Sequence, residues 1–248
     1  MESRSRSAPP RHPELATQAP RPIVLNVGIT GHRAGALTAP LVRSLRPTVY
    51  AVFRQLREAT LRLRDSEEEF CSETGADLRL HTPLATGADQ IAAICARSSG
   101  YFVRALLPFE PHEYRNDFAP GEELDGFEQA LAAADEIVAL PGDRTDLERA
   151  YVRVGESVVA HADVLVAIWD GEDARGPGGT GDVVELALQA GVPVIHVEVT
   201  RRAAGVQVRA LFADRDEAGA QSVRDADLYA RVLRRAFSLG RVPERAGE

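Results

Sequence analysis

Lysine is absent from this sequence, and all 29 basic residues are arginines. This absence excludes two enzyme classes that depend on a lysine side chain. P-loop nucleotide hydrolases use it to contact bound phosphates, and pyridoxal-phosphate enzymes use it to hold their cofactor. Cysteine is also scarce. Cys71 and Cys95 are far apart and neither belongs to a CxxC pair, so the sequence predicts neither a disulfide framework nor a zinc site.

Long apolar segments are absent as well. No run approaches the roughly 18 apolar residues of a membrane span, and the N-terminus lacks the apolar core of a secretion signal. We therefore expect a cytoplasmic protein with no membrane partner. The net charge of −8 does not provide the broad basic surface that nucleic acids require, so we also expect no nucleic-acid partner, although a local arginine patch stays open.

The chain divides into a tail and one regular region. Residues 1–22 are rich in proline, serine and arginine, which predicts a disordered tail. From residue 23 onward, apolar segments typical of buried strands alternate with segments of helical periodicity. The predicted strands are residues 23–28, 78–81, 102–107, 136–140, 163–168 and 194–197. This alternation predicts an α/β protein with a doubly wound parallel sheet in a single domain, residues 23–200.

Two further expectations concern helices. Pro47 interrupts the helical pattern after the first strand and is expected to break or kink that helix, or to begin a second one. Residues 201–248 are expected to form a C-terminal extension that contains a helix at 226–239.

A glycine loop separates the fifth and sixth predicted strands. Residues 171–181 contain five glycines, and the helix that follows ends at Gly191. Glycine allows the backbone to approach a phosphate closely, and the free amides and the dipole of a helix N-terminus attract anions. The segment therefore indicates a phosphate site. Its candidate residues are Gly178, Gly179, Thr180 and Gly181.

Glycines and short polar side chains also follow the other predicted strands. The segments are residues 28–33, 82–89, 107–118 and 140–144. The carboxyl ends of parallel strands share one sheet edge, and ligands bind there at the point where the winding reverses. We therefore expect these four segments and the glycine loop to form one crevice. The candidate ligand-binding residues outside the glycine loop are Thr30, Gly31, His32, Arg33, Gly87, Asp89 and Asp170.

Several of these residues have a structural alternative. Arg33 can pair with a phosphate, and His32 with a ribose or base, or both can bond within their own loop. Thr86 and Asp89 fit the start of a helix as its cap and third residue. Tyr114 can stack on a base or pack in the core. Asp170 can orient a ribose hydroxyl or a hydrated magnesium ion.

Four ordered motifs resemble a known family. They read GITGHR, PLATGADQIAA, LLPFEPHEYRNDF and AIWDGEDARGPGGTGDVVELA. Together they are similar to the SLOG superfamily, the Rossmann-like group that contains the LOG-type phosphoribohydrolases and the DprA-like proteins. Within it, the chain looks most similar to a bacterial branch of nucleotide-signal sensors that act with effector proteins. The resemblance implies a Rossmann-like fold, a nucleotide with its phosphate on the glycine loop, and a homodimer.

An enzymatic alternative follows from the same resemblance. LOG-type enzymes cleave the N-glycosidic bond of nucleoside monophosphates with an arginine and the glutamate of PGGxGTxxE. Glu185 matches that glutamate and is the candidate catalytic residue, but Asp182 replaces the threonine. The position that the arginine takes in LOG-type enzymes falls on Val154 and Gly155 in this sequence. A hydrolase would have to recruit Arg153, Arg33 or Arg175.

A non-catalytic nucleotide sensor is therefore the leading expectation. Asp182 would repel a phosphate at the adjacent helix N-terminus, which weakens a monophosphate site. We predict no metal site and no cofactor, apart from a magnesium ion carried loosely by the nucleotide.

Overall fold

The computed structural model describes residues 23–66, 76–174, 176–199, 206–213, 217–219 and 222–239. The predicted tail, Cys71 and Arg175 lie outside these residues. The strands are β1 (Val24–Gly31), β2 (Asp77–Thr82), β3 (Phe102–Leu107), β4 (Glu136–Ala139), β5 (Val164–Trp169), β6 (Val194–Val199), β7 (Val206–Leu211) and β8 (Glu217–Gly219). The helices are α1 (Ala39–Ser66), α2 (Ala88–Ser98), α3 (Pro111–Tyr114), α4 (Glu122–Ala132), α5 (Leu147–Ala160), α6 (Thr180–Gln189) and α7 (Ala226–Leu239).

The described strands form one sheet in the order β4-β3-β2-β1-β5-β6-β7-β8. The pairs from β4 to β6 are parallel, whereas β7 and β8 pair antiparallel. The predicted doubly wound α/β fold is confirmed, and each of the six predicted strands is present. The two antiparallel strands were not predicted.

Alternate side chains of β5 enter two different hydrophobic cores. Val164, Val166 and Ile168 join the larger core, which packs α1, α2, α4 and α7 against one face of the sheet. Leu165 and Ala167 join the smaller core beneath α5 and α6. All five side chains are fully buried. An unbroken apolar run is what a strand covered on both faces requires.

The expected break at Pro47 is wrong. Helix α1 runs without interruption through Pro47 for 28 residues. A proline inside a helix removes one backbone hydrogen bond. However, Leu45, Val49 and Val52 around it are fully buried in the larger core. We infer that packing of this face outweighs the lost hydrogen bond.

The chain reverses its direction of winding beside β1. From β1 it proceeds outward through β2 and β3 to the edge strand β4, and then returns to place β5 on the other side of β1. Helices α1, α2 and α4 therefore cover one face of the sheet, while α5 and α6 cover the other. The carboxyl ends of β1 and β5 flank the reversal, which is where open α/β sheets bind ligands.

Candidate ligand-binding crevice

A cavity of about 390 Å³ opens between the carboxyl ends of β1 and β5. Its volume lies within the usual range for small-molecule sites. We call it the crevice. It brings together ten of the predicted site residues: Thr30, Gly31, His32, Arg33, Asp89, Asp170, Gly178, Gly179, Thr180 and Gly181.

Four of the five predicted segments line the crevice. They follow β1, β2, β3 and β5. Residues 140–144, which follow β4, are not part of its lining, so the expectation of five converging segments is wrong. The reason is the strand order, because β4 is the edge strand and lies three positions from β1.

Gly31 belongs to strand β1 and not to the loop after it. It is in register with Ile168 of β5, and the next amide, of His32, donates to the Ile168 carbonyl at 3.0 Å. A Cβ at position 31 would lie 2.5 Å from the Ala88 Cβ. Glycine at this position thus lets the first turn of α2 approach the sheet at the base of the crevice.

Gly87 lies behind the crevice and is not part of its lining. It is the N-cap of α2 with φ of +92°, and a Cβ there would lie 2.6 Å from the His32 carbonyl oxygen. The Ala88 amide donates to that oxygen at 3.0 Å. Glycine is required here for contact between two protein segments. Because Gly87 is the cap, the predicted capping role of Thr86 is wrong.

Asp89 is a buried carboxyl group in the crevice wall. Its Oδ2 accepts a hydrogen bond from the Ala85 amide at 3.1 Å. Burial raises the pKa of Asp89 to about 7, although the Ala85 hydrogen bond and the nearby Arg33 oppose that shift. Near neutral pH the group therefore exists in both forms, and it can donate or accept a hydrogen bond.

His32 and Asp170 form a pair across the crevice floor. His32 Nε2 lies 3.1 Å from Asp170 Oδ2 and 3.2 Å from the Asp170 backbone nitrogen. Nε2 accepts from that amide when it carries no proton, and it donates to the carboxylate when it carries one. Asp170 Oδ1 also accepts from the Glu172 amide at 3.2 Å. The loop after β5 therefore fixes the carboxylate in place.

Arg33 supplies a positive charge at the crevice. Its guanidinium lies 5.4 Å from the centre of the Tyr151 ring, a cation–π arrangement. Tyr151 donates its hydroxyl hydrogen bond to Asp117, and Arg144 Nη2 pairs with Asp117 Oδ1 at 2.8 Å. Burial, followed by the Asp117 hydrogen bond, raises the pKa of Tyr151 to about 12, so the phenol stays protonated. Within the described residues, Arg33 forms no ion pair.

Tyr114 is a core residue whose edge reaches the crevice. It is 1% exposed and packs edge-on against Phe118 and Phe127. Of the two interpretations open from the sequence, core packing is the one that the structure shows. The Asp117–Tyr151 contact and the role of Arg144 were not predicted. The Asp117–Tyr151 contact joins residues 34 positions apart, and no local sequence pattern indicates it or the Arg144 pair.

The glycine loop places the N-terminus of α6 at the crevice. Gly178 has φ of +72°, and Gly179 is the N-cap, with no side chain to accept from the first turn. Helical geometry leaves the amides of Thr180 and Gly181 without an intrahelical partner. Asp182 Oδ2 accepts from the Gly178 amide at 3.0 Å. A carboxylate is therefore bonded to one of the loop amides.

The structure does not bring Glu185 to the crevice. Its side chain is exposed, and Gln189 Nε2 donates to its Oε1 at 3.0 Å. Glu185 lines a separate cavity of about 690 Å³ on the other side of the glycine loop. This rear cavity is also lined by Trp169, Asp182, Leu188, His196, Glu198, Arg209 and Leu211.

The missing arginine is not supplied by α5. Val154 and Gly155 line the crevice at the position where the hydrolase motif requires a cation. Arg153 is exposed and lies beside Asp146 and Arg149, outside the crevice lining. A glutamate and an arginine therefore do not meet across the crevice as LOG-type cleavage would require.

Across the described ranges, no three histidine, cysteine, aspartate or glutamate side chains are grouped so that they can hold a metal ion. None of the described helices combines the length and apolarity of a membrane span.

Comparison with known proteins gives similarity in structure alone, since no protein-family model and no curated protein matches the sequence. DNA processing protein A (DprA) of Streptococcus pneumoniae is 16% identical over 73% of this chain and 53% of its own, with a TM-score of 0.47. DprA of Helicobacter pylori, whose structure describes a single-stranded DNA binding mode, is 17% identical over 72% and 67%, with a TM-score of 0.40. The molybdenum cofactor carrier protein of Chlamydomonas reinhardtii is 17% identical over 71% and 76%, with a TM-score of 0.37. The likeness concerns the fold alone, and the expectation that nucleic acid is not a partner receives no support.

Proposed function

We propose that this chain binds a nucleotide or a nucleotide-derived signal in the crevice, as a sensor or binding module without turnover. The observation that carries the proposal is that Arg33 and the N-terminus of α6 line the same cavity. A guanidinium and free helix amides are the protein groups that pair best with phosphate oxygens.

Other side chains of the crevice suit a ribose or a base. The Asp170 carboxylate, held by the Glu172 amide and His32, can accept from a sugar hydroxyl. Asp89 can donate or accept, because its pKa is raised to about 7 by burial. The crevice thus combines carboxylates with cationic and amide groups, which matches a ligand that has hydroxyls and an anionic group.

Cleavage of the glycosidic bond receives less support. A catalytic carboxylate must lie within hydrogen-bonding reach of the group that it assists. Glu185 lines the rear cavity, and Val154 and Gly155 occupy the position of the arginine. Of the two groups that define LOG-type catalysis, the glutamate thus lies outside the crevice, and the arginine is absent from its position on α5.

The proposal is tested by incubating the purified full chain with nucleoside mono- and diphosphates, cyclic nucleotides and ADP-ribose. Native mass spectrometry then reports bound species, and chromatography of the supernatant reports free base. One species retained intact supports the proposal. Release of free base establishes a hydrolase instead. A short single-stranded oligonucleotide belongs in the panel, and its exclusive retention would replace the nucleotide proposal.

An arginine pair provides the matched control. Arg33→Ala removes the charge at the crevice, and we expect affinity for the retained nucleotide to fall about 10- to 100-fold, as for loss of a charge-assisted hydrogen bond. Arg153→Ala removes an exposed arginine outside the crevice and is expected to leave affinity unchanged. Isothermal titration calorimetry measures both. Equal losses in the two variants would contradict an Arg33 contact.

A further inference from the structure

The strand order divides the crevice into two sides. Strands β2 and β3 lie on one side of β1, and β5 lies on the other. The glycine loop and the N-terminus of α6 follow β5, so the backbone amides that can hold a phosphate belong to the β5 side. The lining that follows β2 and β3 consists of Pro83, Ala85, Asp89, Pro108 and Tyr114. The two sides therefore present different chemistry to a bound ligand.

The side that follows β2 and β3 is mostly apolar. It contains two prolines, Pro83 and Pro108, and the edge of the core residue Tyr114. Asp89 is the one charged residue of the five. A ribose carries hydroxyl groups around its ring, whereas a nucleobase is apolar on both faces and polar along its edges. This side of the crevice therefore suits a base better than a sugar.

The protein itself uses only part of the hydrogen-bonding capacity of Asp89. The residue is 5% exposed, and its Oδ2 accepts from the Ala85 amide at 3.1 Å. Within the described residues, Oδ1 has no hydrogen-bond partner, and Arg33 is near enough to lower the pKa of Asp89 but forms no ion pair with it. A buried carboxylate with unfilled acceptor positions is costly in free energy. A ligand in the crevice can fill these positions with its own donors.

We propose that the crevice selects a guanine nucleotide, and that Asp89 determines this choice by binding the edge of the base. The inference rests on the nucleotide function proposed above. An ionised carboxylate accepts hydrogen bonds and donates none. Guanine presents two adjacent donors, the N1 hydrogen and the 2-amino group, which can pair with one carboxylate in a bidentate manner. The pKa of Asp89 is about 7, so the ionised form is present near neutral pH, and ligand donors favour it further.

The other common bases match a buried carboxylate less well. Adenine and cytosine carry an unprotonated ring nitrogen beside the amino group, and uracil and thymine carry carbonyl oxygens on both sides of their N–H group. Each of these bases would direct an acceptor toward the acceptor-only carboxylate of Asp89. A site that forms hydrogen bonds with one ligand rejects analogues that leave its buried polar groups unpaired. Guanine is therefore the base that satisfies this side of the crevice.

Three monophosphates that differ in the base test the inference on the native full chain. Isothermal titration calorimetry at pH 8, where Asp89 is ionised, compares guanosine, inosine and adenosine monophosphates. Inosine lacks the 2-amino group, and we expect it to bind about 10- to 100-fold more weakly than guanosine, as for loss of a hydrogen bond to a charged group. Adenosine is expected to bind more weakly still. Equal affinities would mean that Asp89 does not contact the base, and would overturn the inference.

Asp89→Asn tests the residue itself by changing the preferred base. The Ala85 amide holds the side-chain carbonyl oxygen of the asparagine, so the new NH₂ group takes the place of Oδ1 and faces the ligand. Guanosine monophosphate then meets a donor with its own 2-amino group, and we expect its affinity to fall about tenfold or more. Xanthosine monophosphate has a carbonyl oxygen in place of that amino group. It is expected to bind the variant more tightly than the native chain.

A gain in affinity for xanthosine monophosphate cannot result from misfolding. Asp227→Asn, at an exposed position on α7 outside the crevice lining, is the matched control and is expected to keep the native preference for guanosine. A folded Asp89→Asn variant with no gain for xanthosine overturns the inference. A native chain that prefers adenosine monophosphate overturns it as well, but leaves the nucleotide function standing. A native chain that retains no nucleotide overturns both proposals.

Discussion

Two cavities flank the glycine loop, and they differ in their position relative to the strand order of the sheet. The crevice, of about 390 Å³, lies at the reversal of strand order and collects residues from the ends of four strands. The rear cavity is larger, about 690 Å³, but it lies between α6 and strands β6 and β7. Volume does not mark the cavity at which loops from several strands converge, because strand order determines where they meet.

Charge separates the two cavities further. In the crevice, Arg33 and the α6 amides accompany His32 and the carboxylates of Asp89, Asp170 and Asp173, and Arg33 has no ion-pair partner among the described residues. The rear cavity has four carboxylates, and its one arginine, Arg209, is paired with one of them, Glu198. A phosphate-bearing ligand therefore finds a compensating charge in the crevice and repulsion in the rear cavity.

The largest expected effect comes from closing the base of the crevice with Gly31→Ala. The new Cβ would lie 2.5 Å from the Ala88 Cβ and 2.7 Å from the Ile168 carbonyl oxygen, and backbone atoms cannot move aside cheaply. We expect a loss of about 1–3 kcal/mol in the free energy of unfolding, and loss of ligand binding. Thermal denaturation measures the first quantity.

Gly35→Ala is the control for that substitution. Gly35 lies four residues further along, and a Cβ there would meet nothing within 4 Å. Its melting temperature should stay close to that of the native chain. Equal destabilisation by the two substitutions would mean that the close approach at Gly31 does not support the crevice.

The next largest expected effect is a change of stability with pH, which arises from Asp89 in the crevice wall. The folded-state pKa of Asp89 is about 7, raised by burial above its usual value of 3.8. The folded state thus binds the proton more tightly, so the stabilisation is fully present below pH about 4 and is lost as pH rises through 7. Asp89→Asn keeps an acceptor for the Ala85 amide and removes the ionisation.

We therefore expect the melting temperature of the native chain to fall relative to Asp89→Asn between pH 5 and 8. The difference in melting temperature between the two proteins cancels the contributions of the other titrating groups. His81 is one of these, since burial lowers its pKa to about 4 and its contribution has the opposite sign. Asp227→Asn, at an exposed position on α7, is the control for removal of one aspartate charge.

A smaller effect is expected at the boundary between the two cavities. Asp182 lines the rear cavity, but its carboxylate accepts from the Gly178 amide of the glycine loop. Asp182→Asn preserves an acceptor and removes the charge. Affinity for adenosine monophosphate should rise roughly two- to fivefold, the usual size of a charge effect at a helix N-terminus. Affinity for adenosine should not change. A gain for both ligands would show that Asp182 acts through loop geometry.

The sequence predicted the sheet better than the arrangement around it. Segments such as residues 163–168 are apolar because both faces of the strand are covered, so each strand can be recognised from its own residues. A break or a second helix at Pro47 was wrongly expected because the packing that maintains α1 comes from distant residues. Gly87 is necessary for the contact with His32, which lies 55 positions away, and the residues beside Gly87 in the sequence do not indicate that contact. The same holds for Tyr151 and Asp117, which meet only in the folded chain.

Glu185→Gln is expected to have the smallest effect, and it tests the comparison most directly. The PGGxGTxxE motif contains both the glycines and the glutamate. In the structure, however, Gly178 and Gly179 line the crevice, whereas Glu185 lines the rear cavity. Glu185 is exposed and bonded to Gln189, and glutamine can keep a hydrogen bond at that position. Affinity of the crevice for its nucleotide should stay within about twofold of the native value, because an exposed charge outside a site contributes little to binding there. If the substitution instead abolished release of free base that the native chain shows, Glu185 would have to reach the crevice in the bound state, and the separation of the two cavities would not hold during turnover.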